Sequence, residues 1–156
     1  MNAEHFLFAP ENQEAIRAIS LKVVAEAEPD QSDVSVTLIN PLVDMAARGD
    51  VAAGSTSDRH GGFNGVNSLL IVIIVPLVTA VMDNLLDYCL GKVGEASLST
   101  CQFLLRQNKD MKSQIDLTID NMAAKVQITL PASSSIGMDE LKKIVRDAIL
   151  DHLKNQ

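Results

Sequence analysis

The residues able to do chemistry in this chain are few and scattered. The three histidines, His5, His60 and His152, share no HxxxH or HExxH spacing, so no zinc site is expected. Cys89 and Cys101 are far from a CxxC pattern, and no metal or redox motif follows from them. As a nucleophile Cys89 would need a nearby base, and the sequence places none beside it. Ser133, Ser134 and Ser135 lack a surrounding GxSxG and precede a predicted helix, so capping explains them better than nucleophilic attack. Asp116 and Asp120 flank Thr118 and form the one candidate carboxylate pair for acid–base work, against the plainer reading of two solvated acids. His60 follows Asp58 and Arg59 in a glycine-rich stretch, the one loop where charged groups cluster. That stretch, residues 48–65, holds five of the eight glycines but neither GxxxxGK[ST] nor GxGxxG between a strand and a helix. It reads as a flexible connector. No catalytic, cofactor-binding or metal-binding residue is therefore assigned.

The elements that would position these residues follow from periodicity. Residues 5–9 read as a short strand ending at Pro10, which suits the first turn of a helix. Ile16, Ile19, Val23 and Ala27 fall on one helical face, and Pro29 stops that helix. Over residues 33–40, Val34, Val36 and Leu38 alternate with Ser35 and Thr37, which predicts a half-buried strand ended by Asn40 and Pro41. A helical turn or two follows over 42–47. Residues 95–107 predict a helix with Leu98, Cys101, Leu104 and Leu105 on one side, packed as a hairpin on the segment before it. Ile115, Leu117 and Ile119, then Val126, Ile128 and Leu130, alternate with polar residues about a turn at 121–124, which predicts a β-hairpin. After a linker, Asp139 is the expected cap of a last helix with Leu141, Ile144, Val145, Ala148 and Ile149 as its apolar stripe. The predicted order is β-α-β-(α)-α-β-β-α. It makes an α/β (α+β) two-layer sandwich: a four-stranded mixed sheet with helices mainly on one face, in a single domain over 1–156. Both halves are expected to share that sheet.

Residues 67–91 dominate the chain. No charge appears from Gly61 through Met82, and Thr79 is the one polar residue between Leu69 and Met82. Asn67 or Ser68 is the expected N-cap, Pro76 is expected to kink or split the helix, and Gly91 or Gly94 to end it. The segment is either the core helix of a small domain or a membrane segment. The apolar run Leu69–Met82, fourteen residues, is short of the ~20 residues a span needs, and its flanks carry no Lys/Arg excess. A span would also leave each half with too little core to stand alone. The core-helix reading is preferred.

The 156 residues carry a net charge of −7, and aromatic residues make up only 3% of them. The core must be aliphatic. An acidic chain without a basic stripe cannot neutralise phosphates, so no nucleic acid partner is expected. The first ten residues include an acid and no basic region, unlike a signal peptide. With two cysteines expected to be buried and reduced, the compartment expected is the cytoplasm.

The apolar segment SLLIVIIVPLVTAVMDNLLDYCL with Tyr88 near its end, an early β-α-β, LTID and VQIT alternation and a terminal amphipathic helix together resemble the small effector-associated constant component proteins of bacterial conflict systems. The chain departs from that family at Ile74, Val75 and Pro76, where the family has small residues, and in residues 92–113, which the family lacks before its hairpin. The resemblance implies a non-enzymatic companion to an effector such as a protease. From the residues themselves, three functions are carried forward. The first is a cytoplasmic adaptor or oligomerising component, whose partner is another protein or a second copy. The second is a membrane-inserting effector using 67–91. The third is a small enzyme or ligand-binding module using 48–65.

Overall fold

The computed structural model describes residues 9–48, 69–107, 110–125, 128, 130 and 136–155. Among them there is no strand; the architecture is helical, and the expected four-stranded sheet is absent. Helix α1, Pro10–Ala27, forms as its sequence dictates. Pro10 opens it, the Ala9 carbonyl accepts from the N–H groups of Asn12 and Gln13, and Ile16, Ile19, Val23 and Ala27 are buried. The predicted strand at 5–9 falls almost wholly outside the described residues. A 3₁₀ turn, Pro29–Gln31, leads directly into α2, Ser32–Ala47.

Helix α2 replaces the strand expected at 33–40. Its core stripe is Ser35, Ile39, Val43, Ala46 and Ala47, spaced four, four, three and one, which is a helical and not a pleated period. Val36 is 60% exposed, although alternation had placed it in the core. The β-branched run favours a strand locally, but burial of the longer stripe against α1 overrides that preference. Pro41 lies inside this helix on its exposed side, where water can take the carbonyl that its missing N–H leaves free.

Helix α3, Leu70–Val93, is the central segment, and it is continuous through Pro76. Residues 70–79 are all buried, followed by Val81, Met82, Leu85, Leu86 and Cys89. Buried Thr79 donates its hydroxyl to the Val75 carbonyl at 2.7 Å, so the one polar group of the run is satisfied within the helix. The expected caps Asn67 and Ser68 lie outside the described residues. Gln31 Oε1 instead accepts the Leu70 N–H at 2.8 Å, tying the start of α3 to the turn before α2. Gly94 ends the helix at φ 87°, a left-handed conformation suited to glycine, with its N–H on the Leu90 carbonyl.

Helix α4, Leu98–Gln107, folds back after Gly94. Ser97 Oγ accepts the Thr100 N–H at 3.1 Å and caps it. Helix α5, Asp110–Lys125, replaces the first strand and the turn of the expected β-hairpin, and its buried face is Met111, Ile115, Thr118, Ile119, Met122 and Ala123. Leu117, assigned inward by alternation, is 53% exposed. Of the second expected strand, only Ile128 and Leu130 are described; both pack partly buried against the core, and neither is in a strand. Helix α6, Met138–Lys154, buries Leu141, Val145, Ala148, Ile149 and Leu153. Gly137 stands at its N-cap, and Asp139 lies in the first turn, where its charge suits the helix dipole.

The helices form a jacket around α3. It packs on α1, α2, α4 and α5, while α6 closes the far side by packing on α1, α4 and α5. The two halves of the chain do share one core, made of helices.

Candidate functional site

The structure brings together one pair of reactive side chains that are separate in sequence. Cys89 lies in the last turns of α3 and Cys101 in the first turns of α4, and their Sγ atoms are 2.8 Å apart across the helical hairpin. Both thiols are free and buried. The hydrogen bond with Cys101 draws the Cys89 thiol below its usual range, against the effect of burial. Cys101 is pushed well up, first by that same bond and then by burial. Their spacing carried a usable signal: twelve residues apart, with Gly94 near the midpoint, they occupy facing positions of an α-hairpin.

Asp116 and Asp120 are one helical turn apart on α5. They do not form a strand-borne carboxylate pair. Asp120 lies 3.3 Å from Lys142 and Asp116 3.7 Å from Arg146, both on α6. These half-exposed ion pairs tie α5 to α6, each contributing a few tenths to about 1 kcal/mol. Between α1 and α6 a cavity of about 180 Å³ is lined by Ile19, Lys22, Ala148, Asp151, His152 and Asn155. Lys22 and Asp151 form an ion pair at its edge, and Asn155 donates to Asp151 at 2.8 Å. Burial lowers the His152 pKa, with Lys22 acting the same way and Glu14 and Asp151 opposing. His152 thus sits beside a carboxylate that is already engaged by Lys22. His5, His60 and Ser133–Ser135 lie outside the described residues, as does the glycine-rich loop beyond Arg48. Among the described residues no group of three metal-capable side chains converges.

A second feature is apolar. On α2, Val34, Leu38, Pro41 and Met45 recur at i, i+4, i+7 and i+11, off the core stripe; Leu38 still packs partly against the core, and the other three are exposed. Val34 is 39% and Met45 38% exposed, Pro41 is exposed and Leu38 half-buried. The helix is thus apolar on two faces, with Asp33, Thr37, Asn40 and Asp44 confined to a polar wedge between them. Reading residues 32–47 at the helical period finds this stripe in the sequence; reading them as a strand hides it. No protein-family model, curated protein or solved structure matches the chain, and so no enzyme family is found for it.

Proposed function

We propose that this chain is a non-enzymatic, cytoplasmic oligomerising component or adaptor that works by protein–protein contact. The outer face of α2 carries the reading: exposed Val34, Pro41 and Met45, with half-buried Leu38 between them and partly packed on the core, are an apolar surface suited to another chain. A second copy is the occupant tested first, because most soluble oligomers are homo-oligomers whose interface pairs the same patch on both subunits. A role beside an effector in a bacterial defence system is consistent with the resemblance, now carried by the long apolar helix and the terminal amphipathic helix, since residues 115–119 are helical.

The test is native mass by light scattering, for the wild type and for Val34→Glu with Met45→Glu. Both positions are exposed, so the double variant should keep the wild-type fold and melting curve. The wild type should be a dimer or larger and the variant a monomer. A monomeric wild type, or a variant that associates unchanged, would refute this interface.

One observation favours a second reading. Helix α3 is long and apolar enough to cross a bilayer. Its 24 residues extend about 36 Å at 1.5 Å per residue, against about 30 Å of hydrocarbon. An effector that opens its jacket and inserts α3 would use that length. Detergent distinguishes the readings: association through α2 persists in detergent-free buffer, whereas an inserted α3 needs detergent or lipid to stay dispersed.

A further inference from the structure

We propose that Cys89 and Cys101 are a peroxide-oxidisable dithiol whose disulfide locks α4 onto α3. The geometry carries it. The two sulfurs already share a hydrogen at 2.8 Å, both are buried, and they join consecutive helices across a short turn. A disulfide needs a sulfur separation of about 2.05 Å, so bond formation draws the sulfurs together by less than 1 Å. This inference is independent of the α2 interface.

The chemistry balances with hydrogen peroxide as oxidant. Cys89 Sγ, as thiolate, attacks one peroxide oxygen and breaks the O–O bond. The expelled hydroxide takes the proton released by the thiol and leaves as water, and Cys89 becomes a sulfenic acid. Cys101 Sγ then attacks Cys89 Sγ and displaces hydroxide, which takes the Cys101 proton as a second water. Two thiols and one peroxide give one disulfide and two waters; sulfur is oxidised and oxygen reduced. The Cys101 hydrogen bond that favours the Cys89 thiolate selects Cys89 as the first nucleophile. Peroxide reaches the buried pair when α4 opens. At ten residues α4 is the shortest of the six described α-helices, and Phe103 on its outer side is exposed. In a reducing compartment such a bond is transient, formed under oxidative load and reversed by thiols.

The experiment treats the folded full chain with hydrogen peroxide, then denatures it and alkylates with N-ethylmaleimide. Untreated protein should take two labels. Treated protein should take none and lose the mass of two hydrogens, with the linked peptides containing Cys89 and Cys101. Closing this short loop should raise Tm by about 6–12 °C, and dithiothreitol should return both labels and the original Tm. Cys101→Ser should show no peroxide-induced rise in Tm; should that variant fail to fold, the wild-type mass and Tm still decide. Two labels after treatment, bonds between chains, oxygen added to one cysteine without a link, or an unmoved Tm would each overturn the proposal.

Discussion

Replacing Ile74 with lysine tests whether α3 is a core helix. Ile74 is fully buried within the common core, with α3 packed on α1, α2, α4 and α5. The acids of its own helix, Asp83 and Asp87, lie nine and thirteen residues on, about 14 and 20 Å along the axis. Neither can reach an ammonium at position 74. The lysine must bury its charge unpaired or give up its proton. Holding it neutral at pH 7 costs about 4–5 kcal/mol, since its pKa must fall from about 10.4. Retaining the charge costs several kcal/mol as well, and the isoleucine packing is partly lost in either case. The sum approaches the whole stability of a typical domain, about 5–15 kcal/mol. Urea unfolding followed by circular dichroism should show a midpoint lowered by roughly 2–4 M, or no folded baseline at all. Ile74→Ala should fall between, at about 2–5 kcal/mol. The wild type should stay in the soluble fraction without detergent. An Ile74→Lys protein with an unchanged midpoint, or wild type pelleting with membranes and resisting alkaline carbonate, would refute the reasoning. On the insertion scale the same lysine costs only about 2.5–3.5 kcal/mol.

Two further predictions concern α5 and the edge of α3. Leu117→Gln should change stability by no more than about 0.5 kcal/mol, whereas Ile119→Ala should cost about 2–5 kcal/mol; equal losses in urea titrations would restore the strand reading. Asp83, half-buried on α3, has a raised pKa, chiefly from burial and then from the Asp87 charge, with Lys125 opposing; its Oδ1 has no hydrogen-bond partner among the described residues. Its folded form therefore holds a proton more firmly than the unfolded chain, so ionisation weakens the fold as pH rises from about 3.9 through the raised folded value. Asp83→Asn should stabilise the protein at pH 7, and the gain should shrink as pH falls through that window. A gain that is constant with pH, or a loss at pH 7, would exclude this cause.

Helices α1, α3, α4 and α6 were legible in the sequence because their apolar residues recur at the helical period and proline or glycine marks most of their ends. Helices α2 and α5 were misread for one shared reason. Each has a polar residue on its core stripe and an apolar residue off it. In α2, Ser35 is buried while Val36 is exposed; in α5, Thr118 is buried while Leu117 is exposed. Exchanging those neighbours turns a 3.6-residue period into apparent alternation over five or six residues. Only the longer windows, 35–47 and 111–123, reveal the helix. Thr118 can occupy a core position because its hydroxyl donates to the Gln114 carbonyl at 2.7 Å, a bond available within a helix and invisible to a hydropathy pattern. The cysteine pair was within reach, since the helical hairpin was expected and only the facing positions remained to be matched. The α2 stripe was out of reach once those residues were assigned to a sheet.

A helix as apolar as α3 imposes its own topology. Its first ten residues have no solvent-facing side, so it cannot lie at the edge of a fold, and it is stable in water only when neighbours cover every face. Helices α1 and α2 precede it and can cover one side early, but α4 and α5 follow it, and α6 closes over α1, α4 and α5 last in the chain. Opening of α4 or α5 exposes the side of α3 that it covers. Two contacts hold α4 near the C-terminal end of α3. There the cysteine pair joins α3 to α4, while the Gln102 side chain donates to the Leu153 carbonyl at 3.0 Å and ties α4 to the end of α6. Oxidation would convert a hydrogen bond at this corner into a covalent link and hold α4 on α3 while the rest of the jacket fluctuates.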